Sequence, residues 1–88
     1  MLQVHELRNL KKAKGIIFEV YGKCARVMRY GAPYGEYIVE EILSEETRLW
    51  EYVRHGEDEE SVSMGELVRR AALEICPNEK DVYFEIML

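Results

Sequence analysis

The stretch that decides the fold is IIFEVYGKCARVMRY, residues 16–30. Two runs rich in β-branched and aromatic residues flank Gly22-Lys23, a pattern that predicts a β-hairpin with a two-residue loop. Glycine suits the first loop position because a type II′ turn requires a positive φ there. The hairpin is therefore the starting point for the rest of the fold.

The predicted loop fixes how the two strands pair. It sets Ile17 opposite Met28, Phe18 opposite Val27, Glu19 opposite Arg26 and Tyr21 opposite Cys24. An opposite-charge pair contributes only ~0.2–1 kcal/mol, but this register gives each face a consistent chemistry. The face assigned to the core carries Ile16, Phe18, Val20, Ala25 and Val27. The other face carries Ile17, Tyr21, Cys24 and Met28.

The C-terminal part of the chain predicts a helix followed by a strand. Ser63-Met64-Gly65-Glu66 has the spacing of a capping box, and Pro77 stops a helix. We therefore predict an amphipathic helix over residues 63–76. The apolar run over residues 82–88 is typical of a buried strand.

Residues 36–55 allow two interpretations. Their apolar side chains fall within an arc of about 140° on a helical wheel, which favours an amphipathic helix. The alternative is a second hairpin that turns at Glu45-Glu46. It places Glu40 opposite Glu51, an unfavourable like-charge pair, so the helix is preferred.

The N-terminal segment is ambiguous in a similar way. Leu7 and Leu10 lie one helical turn apart and precede several lysines, which suit a helix C-terminus. This spacing predicts a short helix that ends before Gly15. The alternative is a strand, because Leu2 and Val4 alternate with polar residues.

Together these elements predict one α+β domain over residues 1–88. A chain of this length has room for a single core. The expected architecture is a small antiparallel sheet, made of the 16–30 hairpin and the 82–88 strand, packed on two amphipathic helices near 36–55 and 63–76.

Charge is divided unevenly along the chain. The net formal charge is −5, but residues 1–30 carry +5 and residues 31–88 carry −10. No apolar run reaches the ~18–20 residues of a membrane span, and the first residues lack the pattern of a signal peptide. We therefore expect a cytoplasmic protein with macromolecular partners and no membrane association.

Few residues point to catalysis or to a metal. The potential zinc ligands are His5, His55, Cys24 and Cys76. Their spacing matches no zinc motif, so no metal and no other cofactor is expected. Without a secretory signal both thiols are expected to be reduced. A small enzyme with Cys24 as its nucleophile is kept as the third functional hypothesis.

The apolar outer face of the hairpin predicts self-association. Two helices cover only one face of the predicted sheet, and a large exposed apolar patch usually marks a contact site. The predicted homodimer interface comprises Ile17, Tyr21, Met28, Tyr83 and Met87. The alternative is a monomer in which the N-terminal segment covers this face.

The acidic residues predict a surface for another macromolecule. This predicted acidic face comprises Glu40, Glu41, Glu45, Glu51, Glu57, Asp58, Glu59 and Glu60. A surface of this kind suits a basic partner. The first hypothesis is therefore a non-enzymatic interaction module, homodimeric, that acts on an unidentified protein partner as an inhibitor or adaptor.

The basic first third of the chain supports a second hypothesis, nucleic-acid binding. The candidate residues are Lys11, Lys12, Lys14, Lys23, Arg26 and Tyr30. Cations neutralise phosphates, and tyrosines stack on bases. The acidic total, with a pI near 5.1, argues against this function.

Overall fold

A computed structural model describes residues 1–8, 13–31 and 38–88, with the side chains of all of these except residues 44 and 45. Within that part of the chain, five strands form one sheet in the order β1-β5-β2-β3-β4. The elements are β1 (Gln3–Leu7), β2 (Gly15–Tyr21), β3 (Cys24–Gly31), β4 (Ile38–Arg48), α1 (Met64–Ile75) and β5 (Asp81–Ile86). Two 3-10 helices, Leu49–Tyr52 and Glu59–Ser61, connect β4 to α1.

The predicted hairpin is confirmed in its strands and its register. Strands β2 and β3 pair antiparallel, with Glu19 opposite Arg26 and Phe18 opposite Val27. Gly22 has a φ of 61°, the left-handed region that its place in the loop requires. Local turn chemistry and strand alternation are therefore sufficient to specify this element.

The predicted antiparallel sheet is wrong, because the sheet is mixed. Strand β5 lies between β1 and β2 and runs parallel to both. Helix α1 provides the crossover that brings the chain back in the same direction as β2. Since strand alternation carries no information about direction, the pattern of residues 82–88 did not show this.

The helix predicted over residues 36–55 is wrong as well. Residues Ile38–Arg48 form β4, one continuous strand, so the alternative hairpin turning at Glu45-Glu46 is also wrong. The 3-10 helix Leu49–Tyr52 follows directly. The sheet thus gains a strand, and α1 is the one α-helix among the described residues.

Irregular pairing explains why β4 resembles a helix in sequence. Ala25 pairs with Thr47, and Gly31 pairs with Ile38. These two pairs are six residues apart along β3 but nine residues apart along β4. Register shifts at three points absorb the difference. Extra residues of this kind break the two-residue alternation of a strand, so the apolar spacing becomes helix-like.

The predicted N-terminal helix is wrong, and the strand alternative is correct. Gln3–Leu7 form β1, and the backbone N–H of Gln3 donates to the Lys80 carbonyl at 2.8 Å. Leu2 and Val4 pack against the main core. Residues 9–12, the remainder of that predicted helix, lie outside the described residues.

Helix α1 begins as its sequence predicts. The Ser63 hydroxyl accepts a hydrogen bond from the backbone N–H of Glu66 at 3.2 Å. The helix buries Leu67, Val68, Ala71 and Ala72 against one face of the sheet. Opposite them lie Ile16, Phe18, Val20, Ala25, Val27, Val82 and Phe84, which form the main core.

A smaller second cluster is buried on the sheet face opposite α1. It contains Ile17, Met28 and Tyr30, with Leu7 and Tyr83 packed against it. The Tyr30 hydroxyl donates a hydrogen bond to Glu19 at 3.0 Å. The two faces of the central strands are therefore both buried.

Arg70 joins the segment after β4 to α1. Its guanidinium donates to the Tyr52 carbonyl at 2.8 Å and to Glu57 and Glu66 at 3.0 and 3.2 Å. Hydrogen bonds from Arg69 and then from Arg70 lower the pKa of Glu66 to about 2. The Arg70 guanidinium likewise lowers the pKa of Glu57.

This cluster predicts a specific loss of stability in acid. The folded pKa of Glu66 is about 2, below its ordinary value of 4.5, so its contribution is complete above pH 4.5 and is lost as pH falls through 2. The unfolding free energy of Glu66→Gln should therefore decrease less steeply than that of the native protein as the pH falls from 4.5 to 2. Urea titrations at a series of pH values measure the slope. Glu60→Gln, at an exposed carboxylate outside the cluster, should keep the wild-type slope, and an unchanged slope in Glu66→Gln would contradict the assignment.

Candidate protein interface

One edge of the sheet is formed by the long strand β4. It is eleven residues long, which corresponds to about 36 Å of extended chain. Within residues 1–8, 13–31 and 38–88, β3 is its only strand neighbour. Its outer side therefore presents backbone N–H and C=O groups to which another strand can bind.

Three apolar side chains of β4 are exposed. Ile38, Val39 and Ile42 are 48%, 46% and 59% exposed. Val39 lies opposite Tyr30 and Ile42 opposite Met28, which places both on the sheet face that carries the second cluster. Exposed aliphatic side chains on a long edge strand are typical of a contact site.

The same strand is strongly acidic. Its formal charge is −3, from four glutamates and one arginine. The side chains of Glu40, Glu41 and Glu46 are exposed. Glu41 lies 3.8 Å from Arg29, while Glu40 lies against Gly31. Together the exposed apolar and acidic side chains of β4 make up what we call the acidic edge.

The register shifts bend this edge. Regular pairing with β3 continues for at most two residue pairs at a time, as at Met28–Ile42 and Arg29–Glu41. Bulges of this kind discourage association with the edge of a rigid sheet. A flexible extended segment can follow the bends and is the better match.

The predicted acidic face does not form one continuous surface. Glu51 lies 3.8 Å from Arg48, Glu57 is bound to Arg70, and Glu59 lies 2.8 Å from Lys23. Asp58 caps the second 3-10 helix, and Glu60 is exposed. The structure does not describe the side chain of Glu45. Glu40 and Glu46, together with Glu41 at 3.8 Å from Arg29, form the acidic group on β4 itself.

The structure separates the residues predicted to bind nucleic acid. Lys11 and Lys12 lie outside the described residues. Lys14 and Lys23 are exposed and lie beyond opposite ends of β2, whose seven residues span about 23 Å of extended chain. Arg26 is also exposed and lies between them along the hairpin.

Tyr30 does not offer its ring for base stacking. It is buried, and burial together with its hydrogen bond to Glu19 raises the pKa of its hydroxyl to about 12. Lys23 is paired with Glu59, whose hydrogen bond and then whose charge raise the lysine pKa. The described candidates thus do not converge on one nucleic-acid surface.

The predicted dimer interface is divided between buried and exposed residues. Ile17 is fully buried within one chain, and Met28 is buried beside it. Tyr83 packs against them, and Tyr21 is 47% exposed. The backbone N–H of half-buried Met87 donates to the Val20 carbonyl. The homodimer itself stays a prediction.

Cys24 lies in a cavity of about 340 Å³ lined by Tyr21, Cys24, Ala25, Arg26 and Glu46. Its thiol donates a hydrogen bond to Glu46, which raises the thiol pKa, and burial raises it further. Burial also raises the pKa of Cys76. Both thiols are free, and both pKa values are raised, which is opposite to the lowered pKa of a catalytic cysteine.

Residues 1–8, 13–31 and 38–88 contain no cluster of three or more His, Cys, Asp or Glu side chains that could hold a metal ion. Their helix is too short and too polar to cross a bilayer. Comparison of the chain with protein-family models, with curated proteins and with solved structures gives no match.

Sequence reasoning missed the importance of Ile38, Val39 and Ile42, which it placed on the buried side of a helix. The signal was present, because charged residues that flank aliphatic ones are typical of an exposed edge strand. It also treated Cys24 apart from Glu46. These residues are 22 positions apart in sequence, and only the β3–β4 pairing brings them together.

Proposed function

We propose that this chain is a non-enzymatic protein-interaction module that binds a basic, extended segment of a partner protein along the acidic edge. The observation that supports this most strongly is the combination, on one eleven-residue edge strand, of exposed aliphatic side chains and a formal charge of −3. Such a module acts as an inhibitor or adaptor in the cytoplasm, where free thiols such as those of Cys24 and Cys76 stay reduced.

Binding of this kind is strand addition. The outer N–H and C=O groups of β4 pair with the backbone of the incoming segment, which supplies affinity without sequence preference. Val39 and Ile42 contact aliphatic side chains on one face of that segment. Glu40 and Glu41 attract its lysines and arginines, which selects basic segments and increases the association rate.

A second copy of the chain is a poorer occupant of this edge. Pairing β4 with itself brings together two strands that each carry −3, and the whole chain is also acidic at −5. The bends in β4 further oppose sheet-to-sheet association. The predicted homodimer therefore requires a different surface.

A labelled peptide tests the proposal directly. The probe is a nine-residue fluorescein-labelled peptide of alternating lysine and valine, followed by fluorescence anisotropy. We expect micromolar affinity that weakens with added salt. Reversing charge with Glu40→Lys and Glu41→Lys together should weaken binding at least about tenfold, because two attractive charges become repulsive.

The matched control places the same charge change elsewhere. Glu60→Lys and Glu74→Lys together alter exposed residues outside β4 and should weaken binding less than about threefold. Equal weakening in both double variants would mean that only net charge attracts the peptide.

Hydrogen exchange supplies the second measurement, since added backbone pairing should slow exchange in β4 and leave α1 unchanged. Failure of the peptide to bind, or an absence of slowing in β4, would overturn the proposal.

A further inference from the structure

The carboxylates at the start of β4 lie on the side of the sheet that α1 covers, which we call the α1 face. Side chains of a strand alternate between the two sides of a sheet, so Arg29 of β3 shares this face with Val27 of the main core. Glu41 pairs with Arg29 and therefore lies on the α1 face as well. Leu43 packs against the main core on the same side. Ile38, at the start of the strand, is the exposed aliphatic side chain of this face.

The register shift beside Glu41 places Glu40 on the same face. Glu40 is the extra residue between the pairs that Arg29 and Tyr30 make with β4. A side chain at Gly31 would point to the α1 face, because residue 31 alternates with Arg29. It would collide with the carboxylate of Glu40, which occupies that space. Both glutamates therefore flank the same side of any strand added to β4.

Distance decides which charges an added strand meets on this face. Strands lie about 4.8 Å apart, so Glu40 and Glu41 are one spacing from a segment paired with β4. Arg29 is two spacings away, and its guanidinium donates to Glu79 at 2.7 Å but lies 3.8 Å from Glu41. Lys14, before β2, is about three spacings away, beyond the ~8 Å over which charges act at physiological salt. The two glutamates therefore dominate the α1 face of the edge.

The opposite face of the same stretch is aliphatic. Among residues 38–43, Val39 and Ile42 lie on it, over the second cluster, and they are 46% and 59% exposed. The carboxylate on this face of β4 is Glu46, near the other end of the strand, where it contacts Cys24, the partner of Arg48. The two sides of the acidic edge thus differ in what they offer to a bound strand.

We infer that the segment bound at the acidic edge alternates in sequence, with lysines or arginines on the α1 face and aliphatic side chains on the opposite face. The inference rests on the proposed function for strand addition, and it adds the sequence pattern of the partner. Alternation is required because successive side chains of the bound strand point to opposite sides of the sheet. A segment without alternation places some of its lysines over Val39 and Ile42, where they lose water without gaining a carboxylate.

Two peptides of equal length, charge and composition test the pattern. KVKVKVKVK alternates, whereas KKVVKKVVK puts lysines and valines on both faces of an extended strand. Fluorescence anisotropy should show that the alternating peptide binds at least about fivefold more tightly. Equal affinities, or tighter binding of the second peptide, would overturn the inference. Circular dichroism of each free peptide at the assay concentration checks that neither associates with itself.

Matched variants test the two faces. Glu41→Gln and Glu46→Gln make the same charge change on opposite faces of one strand, at exposed side chains. Glu41→Gln should weaken binding of the alternating peptide at least about threefold, whereas Glu46→Gln should weaken it less than about 1.5-fold. Equal effects, or a larger effect of Glu46→Gln, would overturn the assignment of the lysines to the α1 face. Urea unfolding of both variants checks that each is folded.

A carbodiimide identifies the carboxylates that touch the peptide without relying on affinity. It joins a lysine amine to a carboxylate as an amide, and the water lost in this condensation converts the carbodiimide to a urea. Peptide mapping by mass spectrometry should locate these amides at Glu40 or Glu41 and not at Glu46. Amides formed mainly at Glu46 would overturn the inference.

Hydrogen exchange separates this inference from the proposed function. Slowed exchange in β4 together with equal affinity for the two peptides would support strand addition and reject the alternating pattern. Amides at Glu40 and Glu41 without slowed exchange in β4 would support lysine contacts on the α1 face and reject strand addition.

Discussion

Replacing Phe18 with alanine should lower the free energy of unfolding by about 3–5 kcal/mol. Phe18 is fully buried on the central strand β2, where it lies between Val27 of β3 and Phe84 of β5. Its ring also faces the helix-covered core, so truncation leaves a cavity at the point where the sheet and α1 meet. Small domains are stable by only ~5–15 kcal/mol, so this single change removes a large fraction of the total. Urea unfolding followed by circular dichroism measures it.

Ile42→Ala is the matched control, because it truncates an exposed aliphatic side chain. It also tests whether residues 38–48 form a strand and not the predicted helix. Ile42 is 59% exposed on β4, and its truncation should change the unfolding free energy by no more than about 0.5 kcal/mol. If Ile42 were instead buried in the helix predicted over residues 36–55, the same truncation would lower the unfolding free energy by about 2–5 kcal/mol. A loss of that size in Ile42→Ala, or a small loss in Phe18→Ala, would contradict the architecture.

Elements specified by neighbouring residues were predictable from the sequence. The hairpin follows from Gly22 and from the alternation on each side of it, and both its register and the positive φ of Gly22 are confirmed. Helix α1 follows from Ser63 and Pro77, and its cap is confirmed. In each case the physical determinant lies within a few residues of the element that it specifies.

Elements specified by distant residues were not predictable in the same way. The pattern of β4 depends on extra residues that only the β3 register reveals, so a helical spacing arose from an irregular strand. The direction of β5 in the sheet depends on the crossover through α1. The strand conformation of β1 depends on its pairing with β5, which lies more than 70 residues away in sequence. Periodicity records which side chains are buried, but it does not record the direction of a strand.

The candidate interface shows the same division. The sequence reveals that residues 31–88 are acidic, but not which carboxylates already have partners. Glu57 and Glu59 bind Arg70 and Lys23 and serve folding. Glu40 and Glu41 lie on an edge strand and are exposed, although Glu41 is 3.8 Å from Arg29, a longer contact than those of Glu57 and Glu59. An acidic surface therefore becomes a candidate interface only after the carboxylates in short internal ion pairs have been removed from it.

Replacing Ile17 with alanine should lower the free energy of unfolding by about 2–5 kcal/mol, and the loss should not depend on protein concentration. Ile17 is fully buried within one chain, beside Met28 and Tyr30 on the sheet face opposite α1. The predicted dimer interface includes the same residue and leads to a different expectation. If a second copy covered Ile17, unfolding would be coupled to dissociation, and stability would change with concentration.

Urea titrations of the native chain and of Ile17→Ala at two protein concentrations, a hundredfold apart, distinguish these cases. For a buried cluster within one chain, both midpoints stay fixed, and the difference between them is constant. Tyr21→Ala is the control on the same face, because its 47% exposed side chain should cost less than about 1 kcal/mol. Native midpoints that rise with concentration, together with a dimer in sedimentation and the loss of both in Ile17→Ala, would return Ile17 to an interface. Fixed midpoints would show that Leu7 of β1 and Tyr83 of β5 complete this cluster within the monomer, and self-association would then have to use another surface.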